Sequence, residues 1–386
     1  MNKIELLNGN EAAAYGAMLS GAEIIPVYPI TPQTPLIHKI SEFIAKGEFD
    51  ADLIHLESDQ SALAAAVGAS LGGARVFTAT NSQGLLYMAE VCYYASGLRV
   101  PIVMAVINRA VSSPHSRYPD HSDAMALKSS HWIQLFCETN QEVLDTAIQM
   151  FRICEDRRVL LPGMFSYESY LLSFTWENVE VPEQEKVRKF VGEYNPEHII
   201  LDPDDPMTIN APTTPDYLTE FRYKQKIAMD NALKVIREVG KEFQREFGRF
   251  YGLIDPYRVE DAEFVIATMG TIASTAKEVV DEMRAEGKKV GVLRIRSFRP
   301  FPREEVKKAL KSAEAVATID RNFSAGSNGA LYDEMRSALY NTGIPVKGYI
   351  AGLGGRNVSK NDIREVFEDL IQKERLEEIS WINLRG

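Results

Sequence analysis

The chain has 386 residues, 45% hydrophobic and 25% charged, enough for a large core and two domains. A net charge of −11 argues against a general nucleic-acid binder. Cys92, Cys137 and Cys154 are widely spaced and form no CxxC, which predicts no iron–sulfur cluster or structural zinc held by this chain and suits a reducing cytoplasm. No apolar run approaches the roughly 18 residues of a membrane span, and Met1–Glu5 has no secretory character.

In chain order, residues 8–20 read as a helix rich in small residues, followed by a strand over 22–27. Pro29, Pro32 and Pro35 then stiffen the loop Tyr28-Pro-Ile-Thr-Pro-Gln-Thr-Pro35. Its threonines and glutamine fit a small-molecule site at a strand end, although the eight residues alone read more readily as an ordinary proline-rich turn. Thr34–Ala45 predicts a helix with Leu36, Ile37, Ile40 and Phe43 on one side. A short strand over 54–56 stops at Glu57, and Ser58 or Asp59 caps a helix running to Leu71. A strand over 76–80, a polar stretch 81–84, a helix over 85–95 and an apolar strand over 101–107 follow. Residues 108–131 form a long polar connection, then come a strand over 133–136, a helix over 140–155 and a strand over 159–165. This alternation predicts an α/β domain with a mainly parallel sheet and functional loops at the strands' carboxyl ends.

Residues 178–216 read as an irregular connector, and 217–249 as one or two helices with Ile227, Ala228, Ala232, Leu233 and Ile236 as a stripe. A second α/β domain begins near Asp261. Its expected strands cover 264–268, 289–295, 315–320 and 346–350. Its expected helices run from about 272 to 283, 303 to 310, 330 to 340 and 360 to 373, and 296–302 reads as a turn.

Three clusters invite chemistry. Glu57, between an apolar strand and an alanine-rich helix, suits either a heterocycle nitrogen or a local cap. Arg109, just after an apolar strand, suits either a substrate carboxylate or a structural ion pair. Asp120-His121 with Asp123 matches no metal spacing and reads better as a hydrogen-bonded loop. Gly352, Gly354 and Gly355 are no dinucleotide fingerprint and suggest tight turns beside a partner surface.

The chain resembles the alpha subunit of the 2-oxoacid:ferredoxin oxidoreductases, the thiamine-diphosphate enzymes that include pyruvate synthase. The resemblance rests on Gly9-Asn-Glu-Ala-Ala13, Tyr28-Pro-Ile-Thr-Pro32, Glu57-Ser58, Thr80-Asn-Ser-Gln-Gly-Leu85, Asn108-Arg109 and Asp120-His-Ser-Asp123. It continues in Arg296-Ser-Phe-Arg-Pro-Phe-Pro302, Asp320-Arg-Asn322 and Gly352-Leu-Gly-Gly-Arg356. Each motif is weak alone; their order across nearly the whole chain is specific.

The resemblance implies a pyrimidine-binding-type domain over 1–180, a connector over 181–257 and a transketolase C-terminal-like domain over 258–386. It makes Glu57 the glutamate that bonds the cofactor's aminopyrimidine ring and favours its imino tautomer. Thr31 and Arg109 then meet the substrate's keto or carboxylate oxygens, with Pro29, Ile30, Ser82 and Gln83 beside the cofactor. His115, Arg117, Tyr118, Asp120, His121 and Tyr170 become candidates for the substrate pocket. The resemblance places no metal ligand on this chain. The diphosphate motif, Mg²⁺ and [4Fe-4S] clusters are implied on a beta subunit and other partners, with a gamma subunit, a ferredoxin-like delta subunit, coenzyme A as cosubstrate and ferredoxin or another acceptor. Two stretches, Pro114–Pro119 and Glu168-Ser-Tyr170, depart from the pyruvate-type pattern and favour a bulkier acid such as phenylglyoxylate. Pyruvate or a branched-chain 2-oxoacid is the alternative, and a non-catalytic subunit of the same fold is a third reading.

Overall fold

Small residues set the first packing decision. The computed structural model describes residues 3–196, 201–372 and 379–385. A short β1 (Lys3–Leu7) leads to α1 (Gly9–Ser20), capped by Asn8 and Glu11 in a reciprocal capping box. A Cβ on Gly16 would lie 2.4 Å from the Cβ of Ala147, so glycine is what lets α1 lie so close to α7 (Asn140–Cys154).

The intervening units are β2 (Ile24–Val27), α2 (Thr34–Ala45), β3 (Asp52–His55), α3 (Asp59–Leu71), β4 (Phe77–Thr80), α4 (Ser82–Tyr87), α5 (Ala89–Leu98), β5 (Val103–Asn108), α6 (Ser122–Ala126) and β6 (Ile133–Phe136). The unit closes with β7 (Gly163–Glu168). β4, β5, β7 and β6 are parallel neighbours, and β2 pairs in parallel with β3, bridging to the sheet through Ile24 and Val76. β5 is buried at every residue because helices cover both faces of the sheet. α2 buries Leu36, Ile37, Ile40 and Phe43, the side its periodicity predicts. Ser58, not Asp59, caps α3: its hydroxyl accepts from Ser61 N–H at 3.1 Å.

The connector is more ordered than its proline content suggests. It contains β8 (Glu177–Val181), antiparallel to β1, α8 (Gln184–Val191) and α9 (Pro215–Phe247), one helix of 33 residues. The buried stripe of α9 starts at Gln225 and runs through Ala228, Ala232, Val235, Ile236, Val239 and Phe243. Ile227, expected in that stripe, is exposed. The helix expected over 85–95 starts earlier and divides at Met88 into α4 and α5.

The remaining elements are β9 (Ile254–Tyr257), β10 (Phe264–Thr268), α10 (Ile272–Ala285), β11 (Val290–Ile295), β12 (Ser297–Arg299), α11 (Arg303–Ala309), β13 (Ala315–Asp320), α12 (Ala330–Leu339), β14 (Val346–Ile350), α13 (Lys360–Gln372) and β15 (Ile379–Trp381). They form a second sheet in the order β15-β14-β13-β10-β11-β9, parallel except for β9. The expected end of α13 at residue 373 lies outside the described residues. Residues 296–302, expected to be a turn, contain β12, which pairs antiparallel with β6 and so joins the first sheet. Local pattern does not reveal a three-residue strand whose partner lies in another sheet.

Buried charge ties the two sheets together. Arg294 and Arg296 both reach Glu142 on α7, each at 2.9 Å, and Arg294 also meets Glu138 at 3.0 Å. Lys277 on α10 bonds the same Glu138 at 2.8 Å. Such a set holds register because removing either sign would leave the other buried and unpaired.

Candidate active site

The loops that follow β2, β3, β4, β5 and β7 gather at the carboxyl ends of the strands. The proline loop is gripped through its backbone. Asn10 Nδ2 donates to Pro32 O at 3.0 Å, Asn81 Nδ2 to Ile30 O at 3.1 Å, and Arg109 Nη1 to Thr31 O at 2.7 Å. Gln33 is fully buried and donates to Ala79 O at 3.1 Å, so it is an anchor, not a ligand contact. Pro29 and Thr31 face outward, and Ile30 is half-buried.

Arg109 is 5% exposed. Besides Thr31, it bonds Ser116 O through Nε at 3.1 Å, and Asn81 Oδ1 and His115 Nε2 at 3.4 Å each. Burial, helped by Arg117, lowers its pKa from the usual 12.5, yet it stays a cation at neutral pH. The network runs on through His115 Nδ1 to Ser112 Oγ at 3.3 Å and from there to Gln83 Nε2. Ser82 is buried with φ +48° and donates to Ala110 O at 2.6 Å. Thr31, Ser82, Gln83, Arg109 and His115 therefore form one connected set.

Glu57 stands apart from that set. It is exposed, and Ser61 Oγ donates to it at 2.7 Å. That hydrogen bond holds its carboxyl below the ordinary value of 4.5. An exposed, ionised carboxylate at the end of β3 can accept a hydrogen bond from a ring nitrogen laid against this face.

Two pocket candidates are placed otherwise than expected. Asp120 is buried and closes its own turn, accepting from Ser122 N–H at 2.7 Å. His121 is 1% exposed and points between the sheets, with Nε2 2.9 Å from Glu168 Oε1. Glu168, at the end of β7, also takes Thr271 Oγ1 and lies 3.3 Å from Arg321 Nε. These residues latch the second sheet to the site loops instead of lining an open pocket. Burial pushes the Glu168 carboxyl up, but Arg321 and His121 outweigh it and bring it down to about 2. Because this folded value lies below the unfolded 4.5, the latch stabilises fully above pH 4.5 and weakens as pH falls toward 2. The stability difference between wild type and Glu168→Gln, followed by urea unfolding, is expected to shrink across that window; a constant difference would contradict this account.

Arg117 and Tyr118 are exposed and Tyr170 is half-buried. The Tyr118 and Tyr170 rings pack in a tilted pair with centroids 4.9 Å apart, Phe174 lies 5.0 Å from Tyr170, and Ser169 Oγ donates to Arg117 O at 2.6 Å. The two departing stretches are thus one contact.

Sequence reasoning passed over Asn81. Asn81 is fully buried between Arg109 and the proline loop. Asp123 accepts from Ser82 N–H, Arg109 N–H, Asn108 Nδ2 and Ala124 N–H at 2.7–3.0 Å, and burial raises its pKa to about 6. It is the centre of a hydrogen-bonded loop, the reading preferred to a metal cluster from the sequence. Among the described residues no three or more His, Cys, Asp or Glu are grouped to hold a metal ion.

Residues 15–241 match the family described as "Pyruvate flavodoxin/ferredoxin oxidoreductase, thiamine diP-bdg", and residues 262–363 match "Pyruvate:ferredoxin oxidoreductase core domain II". The chain is 44% identical over 382 residues to the pyruvate synthase subunit PorA of Methanothermobacter thermautotrophicus, covering 99% of this chain and 98% of that protein. It is 43% identical over 388 residues to the ketoisovalerate oxidoreductase subunit VorA of Pyrococcus horikoshii, covering 99% and 98%. A solved 2-oxoglutarate:ferredoxin oxidoreductase from Magnetococcus marinus, with 2-oxoglutarate, coenzyme A and succinyl-CoA bound, shares the fold. Its TM-score is 0.74 at 19% identity, over 96% of this chain and 65% of that one. A split-gene transketolase also shares the fold, at TM-score 0.56 and 13% identity, over 95% of this chain and 98% of that one.

The chain belongs to the alpha subunits of the thiamine-diphosphate-dependent 2-oxoacid:ferredoxin oxidoreductases. It is a catalytic subunit that needs partner subunits for full activity. Its second domain is transketolase C-terminal-like. Among the described residues no helix is long and apolar enough to cross a membrane.

Proposed function

We propose that this chain serves the oxidative decarboxylation of pyruvate or a branched-chain 2-oxoacid to acyl-CoA and CO2, with electrons leaving through iron–sulfur clusters on partner subunits to ferredoxin. The carrying observation is the connected set Thr31–Arg109–His115–Gln83 at the strand ends, together with the exposed carboxylate of Glu57 at the end of β3. Glu57 fits an aminopyrimidine, being an exposed carboxylate supported from one side by Ser61. Thiamine diphosphate, when bound, supplies the carbon nucleophile and electron sink for decarboxylation. Glu57 holds and exchanges a proton at a ring nitrogen. Arg109 offers Nη2 to the substrate carboxylate while Nη1 fixes the Thr31 carbonyl, leaving the Thr31 side chain facing the keto group. Pro29, Ile30, Ser82 and Gln83 shape the cofactor side, and His115 sits at the carboxylate end.

A beta subunit is proposed to bring the diphosphate–Mg²⁺ half, with gamma and delta subunits completing the electron path and coenzyme A taking the acyl group. We place its domains at 1–180 and 258–386, joined by a connector over 181–257. A smaller acid is preferred over phenylglyoxylate on two grounds. Tyr118 and Tyr170 pack on each other instead of splaying around a ring-sized space. The relatives described above carry pyruvate and ketoisovalerate in their names. The assembled complex should therefore turn over pyruvate or 3-methyl-2-oxobutanoate with higher kcat/KM than phenylglyoxylate. The reverse order would overturn the substrate reading, and no turnover of any 2-oxoacid would overturn the function.

A further inference from the structure

The glycine turn after β14 faces this chain's own site loop. Gly355 has φ +77° and its N–H donates to Pro119 O at 3.0 Å. A Cβ there would stand 2.7 Å from Tyr118 Cβ and 3.0 Å from Pro119 Cδ. Two residues further along the loop, His121 N–H donates to Arg321 O at 2.9 Å, so the second domain grips the loop twice. The loop is closed on itself by Ala110 N–H to Tyr118 O at 3.1 Å. Its Ser116 carbonyl accepts from Arg109 Nε at 3.1 Å, and Arg109 Nη1 reaches Thr31 O at 2.7 Å. A continuous line of contacts thus joins Gly355 to the cation at the strand ends.

We propose that Gly355 is a positioning residue for Arg109: its lack of a side chain lets the second domain press residues 116–119 into the register that aims the guanidinium at the substrate carboxylate. The inference rests on the role given to Arg109 above. A displaced loop would carry the Ser116 carbonyl with it and let the guanidinium swing, weakening carboxylate binding before it touches the proton chemistry at Glu57.

The test uses the assembled complex with saturating coenzyme A. Gly355→Ala is expected to raise KM for the 2-oxoacid at least ~10-fold with kcat within ~3-fold. Gly354→Ala shares the left-handed strain (φ +58°), but its Cβ would meet only Ser116 Oγ, at 3.6 Å. It should leave KM within about 2-fold, since that is an ordinary contact distance. An equal rise in both variants would mean general loosening of the turn and would overturn the proposal. So would an unchanged KM in Gly355→Ala alongside a raised KM in Arg109→Ala. If Arg109→Ala itself leaves KM unchanged, the role of Arg109 fails and this inference with it. Hydrogen exchange on the wild-type complex tests the same point should Gly355→Ala not assemble: residues 110–121 and 351–356 are expected to open together, and a loop that exchanges far faster than the turn sinks the idea.

Discussion

Glu57→Gln is expected to lower turnover of the assembled enzyme by roughly 10²–10⁴-fold, the range for losing a positioned acid–base group. Stability and assembly should hardly move. The side chain is exposed, its one described side-chain partner is Ser61, and a glutamine amide oxygen can accept that same bond. The substitution keeps shape and removes only the carboxylate's capacity to take a proton. Activity within a few-fold of wild type, in a complex that still binds thiamine diphosphate, would remove Glu57 from the mechanism.

Arg109→Ala carries the second large effect. The guanidinium holds both the Thr31 carbonyl and the Ser116 carbonyl, so its loss unties the proline loop from the loop after β5 as well as removing the cation. Hydrogen bonds to charged groups contribute about 1.5–3 kcal/mol each, so kcat/KM should fall by about 10²-fold or more. Arg109→Lys should recover only part of it. An ammonium has no planar fork to serve Nε and Nη partners at once. Full recovery by lysine would show that charge alone suffices and that the fork geometry is irrelevant. Steady-state kinetics of both variants against a fixed coenzyme A concentration separates these outcomes.

Local periodicity made much of the fold legible. The stripe Leu36, Ile37, Ile40 and Phe43 and the wholly apolar run of β5 each report burial directly, because one covered face or two covered faces leave a mark at fixed spacing. β12 left no such mark, since its three residues pair with a strand more than a hundred positions away. β1 was hidden for a related reason: Ile4 and Leu6 are exposed, so its alternation does not point to a core.

The site divides along the same line. The stiffness of residues 28–35 was readable from their prolines, and Arg109 from its place after β5. That Arg109 grips the backbone of Thr31, that Asn81 bridges them, and that His121 turns inward to Glu168 are long-range facts with no local spacing. Family resemblance supplied roles, but it also led to an expectation of an aromatic substrate that the packing of Tyr118 on Tyr170 speaks against. The proline loop thus has its backbone fixed by three polar side chains and its Thr31 side chain outward.

The central claim is that this chain supplies one half of a thiamine site and a partner supplies the other. Thiamine diphosphate binding and 2-oxoacid decarboxylation, measured on the chain alone, on the diphosphate-motif partner alone and on the two assembled, test it most directly. The account predicts tight binding and turnover only in the assembly, abolished there by Glu57→Gln. Turnover by either component alone, or an assembly indifferent to Glu57, would contradict it.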